Sequence, residues 1–137
     1  MLYLFDRNVP RRLALMLNHY HPDDEVSFLD EHFPQNSPDS VWLSEIASSW
    51  DPLPVLVSGD GRILKNQAER QILRGIPTHF FLFADGFCNL SWELQAVHGV
   101  KMWPRIREAV ERTRAPTVFK IPGKKNKLET ISPTNTL

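Results

Sequence analysis

Three aspartates in this chain stand where a carboxylate is presented rather than hidden. Asp6 follows Leu2-Tyr3-Leu4-Phe5, Asp60 follows Val55-Leu56-Val57-Ser58-Gly59, and Asp39 follows Ser37-Pro38. The two apolar runs read as short strands, and Ser37-Pro38-Asp39 reads as the opening of a helix. In a parallel α/β sheet, such strand ends and helix starts fall on one edge, the edge where ligands bind. Carboxylates gathered there repel one another unless a cation or a proton shares the site. Oxygen-only ligands suit a hard divalent ion, Mg²⁺ or Mn²⁺. Ions of that kind handle phosphate esters, by activating water or by stabilising charge on the transferred group. Each aspartate also has a structural use. Asp6 can cap a helix, Asp60 can sit in the turn before Gly61, and Asp39 suits the positive end of a helix dipole. Their common edge is what favours chemistry.

Other polar residues stand near these acids. Arg62 and Lys65 follow Asp60 directly and are candidate phosphate contacts, whereas Arg70 and Arg74 read as a solvated helix face. Asn8, two residues after Asp6, can orient a water or a ligand, or simply hold a turn. Asp85 reads first as the turn residue before Gly86. His19, His21 and His32 have irregular spacing, unlike a zinc site. His79 and His98 read as structural, and Cys88 has no base partner in the sequence.

The elements that must position these residues follow from periodicity and punctuation. Continuous apolar runs at Leu2–Phe5 and Val55–Val57 suit strands covered on both faces. Val26–Leu29, His79–Phe83 and Thr117–Ile121 are further expected strands, the last on an edge. Pro10 suits the first turn of a helix carrying Val9, Leu13, Met16 and Leu17 inward. Ser37 is the expected N-cap of a helix with Trp42, Leu43, Ile46, Ala47 and Trp50 on its apolar stripe. Asn66 to Glu69 has a capping-box pattern, and the helix it opens closes at Gly75. Ser91 to Leu94 begins another helix, expected to break near Gly99 and at Trp103-Pro104. Strands alternating with helices imply right-handed crossovers and a parallel sheet, in order 2-1-3-4. That order places the switch point between the first and third strands, beside Asp6 and Asp60.

Composition bounds the rest. The chain has 137 residues, a size suited to one domain. Lys+Arg and Asp+Glu are 16 each, so overall charge points to no partner. One cysteine excludes an internal disulfide framework. No apolar run reaches membrane-spanning length, and no signal peptide is evident, so a soluble cytoplasmic protein is expected. Residues 122–137 are polar, lack a period and contain Lys124, Lys125 and Lys127, and read as a flexible tail.

Phe5-Asp6-Arg7-Asn8-Val9-Pro10 resembles the opening Asp-x-Asn-hydrophobic-Pro motif of compact PIN-like nucleases. Asp39 to Ala47 resembles that family's Asp-led helix, and Ser58-Gly59-Asp60 its Thr/Ser-x-Asp strand end. The likeness runs over roughly residues 1–85. It implies a three-layer α/β/α sandwich with a central, mainly parallel sheet of four to five strands, residues 1–121 forming the nuclease domain. The carboxy-terminal part is similar to the VapC-type toxin branch. The resemblance implies a Mg²⁺-dependent ribonuclease, the toxin of a toxin–antitoxin pair, with Asp6, Asp39 and Asp60 as metal-binding acids. RNA is then the substrate and an antitoxin the partner, and a homodimer is compatible. Phe87 with Trp92, Trp103-Pro104 and the basic tail are candidate antitoxin contacts. Two departures point to a site poorer in carboxylates: Arg62 stands where the family often has a second acid, and the helix bearing an extra acid has no room. The alternatives are a catalytically decayed PIN-like module binding RNA or protein, and a phosphatase or phosphoacceptor domain of similar topology. The second would want an acid where this chain has Asn8.

Overall fold

A computed structural model describes residues 1–20, 23–59, 65–123 and 128–131. Six strands among them form one sheet: β1 (Leu2–Phe5), β2 (Glu25–Phe28), β3 (Val55–Ser58), β4 (His79–Phe83), β5 (Thr117–Ile121) and β6 (Glu129–Ile131). The order is β2-β1-β3-β4-β5-β6. The first five are mutually parallel, and β6 runs antiparallel to β5. The crossovers contain α1 (Arg11–Tyr20), α2 (Asp39–Ser49), α3 (Gln67–Arg74) and α4 (Trp92–Arg112).

Side-chain alternation divides the interior into two layers. Tyr3, Phe5, Val55, Val57, Phe81, Phe83, Phe119 and Ile121 point to one face of the sheet. There they meet Leu13, Ala14 and Leu17 of α1 and Met102, Trp103 and Ile106 of α4. Leu4, Leu56, Phe80, Leu82 and Val118 point to the other face, against Trp42, Leu43 and Ile46 of α2 and Leu73 of α3. Both faces are covered, which is why the strands read as unbroken apolar runs. The result is the expected three-layer α/β/α arrangement. No helix among the described residues is long and apolar enough to cross a membrane.

Three details differ from the sequence reading. The stretch read as a tail supplies β6, which pairs Glu129, Thr130 and Ile131 with β5, so β5 is internal and the sheet has six strands. Residues 124–127 and 132–137 lie outside the described residues. The helix expected to break is continuous from Trp92 to Arg112 with Pro104 inside it. Pro104 is on the exposed side, where water can take the carbonyl its missing N–H leaves, while Met102, Trp103 and Ile106 anchor both sides of it in the core. Gly99 is a point of close approach: a Cβ there would lie 2.7 Å from Leu13 Cδ1. Finally, α2 begins one residue later than expected, with Pro38 rather than Ser37 at the cap.

Candidate functional site

β1 has β2 on one side and β3 on the other, so the chain leaves it in opposite directions and opens a crevice at the carboxyl ends of β1 and β3. Asp6 is the first residue past β1 and continues its pairing, its N–H donating to Val57 O at 2.8 Å. The chain then turns at once, Val9 N–H donating to Asp6 O at 3.0 Å. The carboxylate is held at both oxygens. Arg7 N–H donates to Oδ1 at 2.6 Å and Ser58 Oγ donates to Oδ2 at 3.0 Å. Asp6 is only 4% exposed.

Asp39 is the first residue of α2 and is half-buried. Trp42, one turn on, donates its indole N–H to Asp39 Oδ1 at 2.9 Å. Trp42 is fully buried in the second core layer, so the bond ties the carboxylate to a fixed ring. The charge of Asp39 reaches Asp6. Burial first, and Asp39 second, push the Asp6 carboxyl from an ordinary 3.8 up to about 6, against the opposing pull of its hydrogen bonds from Arg7 N–H and Ser58 and the charge of Arg7. Two acids are therefore brought to one edge at an electrostatic cost.

Asp60 and Arg62 lie outside the described residues. Ser58 ends β3 beside Asp6, and Gly59 continues from it in close contact with the first motif. A Cβ on Gly59 would lie 2.9 Å from Asn8 O and 2.6 Å from Cys88 Sγ. Asn8 is half-buried in the turn after Asp6, and its carbonyl accepts a bond from Cys88 Sγ. Lys65 is exposed in the turn preceding α3. Asp85 is exposed after β4, on the same sheet edge. Among the described residues no three His, Cys, Asp or Glu side chains are gathered into one group; Asp6 and Asp39 are the two that interact. Their donors are all carboxylate oxygens, a set that fits a hard divalent cation, which would offset the repulsion between them.

Residues the sequence reading passed over support this edge. Arg7 and Ser58 appeared there only as motif positions, yet both bond the Asp6 carboxylate. The Arg7 guanidinium reaches away to Asp30 and to the loop before α2. The histidines read as structural are engaged so: His79 Nε2 lies 2.9 Å from Thr113 Oγ1, and His98 Nε2 lies 2.7 Å from Pro122 O. Phe87 is buried and stacked on Phe83 at 4.0 Å, and Trp103 is buried 4.7 Å from Tyr3. Neither ring is therefore a surface contact. Trp92 is half-buried beneath Arg12, whose guanidinium lies 4.4 Å from the ring centroid.

No curated protein and no solved structure matches the chain. A family model described as a PIN-like domain matches residues 1–85, and such domains generally have nuclease activity. The match begins with β1 and runs past β4 to Asp85, so it takes in the switch-point crevice and both acids that meet there, and covers well over half the sequence: the chain belongs to the PIN-like domain family.

Proposed function

We propose that this protein is a divalent-metal-dependent endoribonuclease that hydrolyses RNA phosphodiesters at the edge carrying Asp6 and Asp39, with Asp60 as a further acid. The observation that carries the reading is the state of Asp6: a buried carboxylate facing the charge of Asp39, with its pKa raised to about 6. The cost of the pair is relieved by a shared cation.

Asp6 and Asp39 would hold the ion, with Asp60, two residues beyond Ser58, as the third acid. Bound Mg²⁺ or Mn²⁺ supplies a water nucleophile active at neutral pH and offsets charge on the phosphate. The chain's own part is orientation. Arg7 N–H and the Ser58 hydroxyl fix the plane of the Asp6 carboxylate, and the Trp42 indole does the same for Asp39. Lys65, and Arg62, two residues after Asp60 in sequence, would hold RNA phosphates, and Asn8 would border the site. Such contacts make affinity salt-dependent and largely independent of sequence.

Within the family, the motif spacing and the likeness of the carboxy-terminal part support the VapC-type branch and hence a toxin role. A cognate antitoxin would silence the enzyme by placing a basic side chain against the acids or by covering the crevice. Purified protein should cleave single-stranded RNA with Mg²⁺ or Mn²⁺ and not with a chelator, and Asp6→Asn should abolish cleavage. Expressing the chain alone should slow growth, and a small protein encoded beside it should restore growth. RNA left intact at every metal concentration by well-folded protein would sink the nuclease reading. Normal growth with active enzyme would remove only the toxin role.

A further inference from the structure

We propose that Arg7 is the positioning residue of this site, setting where Asp39 stands relative to Asp6. The inference rests on the metal-site reading above. Arg7 is joined to Asp6 and to the segment that precedes Asp39, by different parts of itself. Its backbone N–H donates to Asp6 Oδ1 at 2.6 Å. Its guanidinium crosses to the segment that leads into α2. Nε donates to Asp30 Oδ1 at 2.6 Å, Nη2 to Pro34 O at 2.6 Å and Nη1 to Ser37 O at 2.8 Å. Ser37 O is the carbonyl that precedes Pro38, two residues ahead of Asp39. One side chain thus grips the chain immediately ahead of the second acid.

The gripped segment needs an outside hold. Pro34 and Pro38 have no N–H, so the loop has fewer donors with which to fix itself. Its own backbone bonds here include those of His32 N–H and Phe33 N–H to Leu29 O and of Ser37 N–H to Pro34 O, all at 3.0 Å. Arg7 supplies donors in three directions to a carboxylate and two carbonyls. Only a planar guanidinium does this; a lysine ammonium on a flexible stem does not reproduce the fork. The side chains of Arg7 and Asp30 are 23% and 20% exposed, so the pair is partly withdrawn from water and less screened than a surface bridge. With all three guanidinium nitrogens engaged inside the protein, Arg7 holds the site together and leaves RNA phosphates to other cations.

The test compares wild type with Arg7→Lys, Arg7→Ala and Asp30→Asn. Asp30→Asn keeps the arginine and both carbonyl bonds, so it reports on the clamp if the Arg7 variants do not fold. The first measurement needs neither metal nor RNA. Exchange of the Trp42 indole proton, which is bonded to Asp39, and of the first α2 amides is followed by NMR in metal-free protein. Arg7→Lys should speed both by at least about tenfold, with core amides in β1 and β3 unchanged; Asp30→Asn should give a smaller change of the same sign. The second is Mn²⁺ affinity by calorimetry, expected to fall about tenfold in Arg7→Lys while the melting temperature stays close to wild type. The third is RNA cleavage, in which kcat should fall while KM and the salt slope of RNA binding hold. Unchanged Trp42 exchange in the folded variants overturns the proposal. So does a salt slope reduced by about one, which would mark Arg7 as a phosphate contact. Wild type that binds no Mn²⁺ while Arg7→Lys still frees Trp42 would defeat the metal site and leave the clamp standing.

Discussion

The Ser58 hydroxyl donates to Asp6 Oδ2 at 3.0 Å, joining the ends of β3 and β1 across 52 positions of sequence. The bond is buried and its acceptor is charged, a combination worth more than an ordinary hydrogen bond. Ser58→Ala removes the donor and leaves the carboxylate less satisfied. The variant should lose about 1–3 kcal/mol of stability at pH 7. The loss should be smaller at pH 4, where a protonated Asp6 accepts the hydroxyl less strongly. Urea denaturation at the two pH values checks this, and an equal loss at both would separate Ser58 from the charge of Asp6.

Asp6→Asn should stabilise the metal-free protein at neutral pH. The folded-state pKa of Asp6 is about 6 against an ordinary 3.8, so the folded form binds the proton more tightly. Its contribution is therefore fully present below pH 3.8 and is lost as pH rises through 6. The full shift corresponds to about 3 kcal/mol, an upper limit for the gain. Asparagine can keep both bonds: its carbonyl accepts from Arg7 N–H, and its amide donates to Ser58 Oγ once that hydroxyl rotates. The advantage over wild type should open between pH 4 and pH 6 and hold above. Denaturation midpoints with chelator across that range are the measurement. A gain present at pH 4 would mean that something other than the Asp6 charge is responsible.

His79 tilts the pH dependence the other way. Burial lowers its pKa below 6.5. The unfolded chain therefore takes up a proton first as pH falls, and stability drops from 6.5 downward. Its Nε2 faces Thr113 Oγ1 at 2.9 Å and Thr113 O at 3.2 Å, so the neutral ring is held with that nitrogen protonated. His79→Phe keeps the ring next to Phe81 and removes the titration. It should flatten the fall below pH 6.5 at the cost of the bond to Thr113. A slope unchanged in the variant would assign the acid sensitivity elsewhere.

Much of this was legible in the sequence, for physical reasons that also mark where legibility stopped. Leu2–Phe5 and Val55–Val57 are apolar at every position because helices cover both faces, so the strands and their order could be read locally. Asp6 and Asp39 could be placed on one edge because that follows from strand and helix direction alone. What was missed depends on partners far along the chain. Nothing near Arg7 announces that its guanidinium will meet Asp30, and nothing near Ser58 announces Asp6. Glu129–Ile131 is too short and too polar to declare itself and is a strand because β5 offers an edge. Pro104 argues locally for a break, which the burial of Trp103 and Ile106 overrides.

Gly99→Ala sets helix propensity against packing. Alanine gains about 1 kcal/mol over glycine inside a helix. Here its methyl would meet Leu13 Cδ1 at 2.7 Å, and Leu13 is fully buried among α1 and α4 side chains. Overpacking of that kind costs about 1–3 kcal/mol. The net result should be a loss, and Leu13→Val in the same chain should recover part of it. A Gly99→Ala variant more stable than wild type would show that the α1–α4 contact yields freely.

Gly59→Ala should disturb the site through its backbone rather than its carboxylates. The new methyl would lie 2.6 Å from Cys88 Sγ and 2.9 Å from Asn8 O. These obstacles differ in kind. Cys88 is exposed and its sulfur sits at the end of a side chain, so it can swing away. Asn8 O belongs to a turn that Val9 N–H closes onto Asp6 O, so it moves only if the turn moves. Pushing that turn outward draws Asp6 away from Ser58, and with it one side of the proposed metal site. The variant should lose about 1–3 kcal/mol of stability, and its Mn²⁺ affinity should fall as well. Cys88→Ala alone should be nearly neutral, since the residue is exposed and a thiol is a weak donor. The pair Gly59→Ala, Cys88→Ala should recover stability only in part and Mn²⁺ affinity scarcely at all, because the carbonyl contact remains. Melting temperatures and calorimetry on the three variants decide it. Full recovery of both in the pair would show that the sulfur alone was the obstacle and that the Asp6 turn does not depend on the absence of a side chain at Gly59.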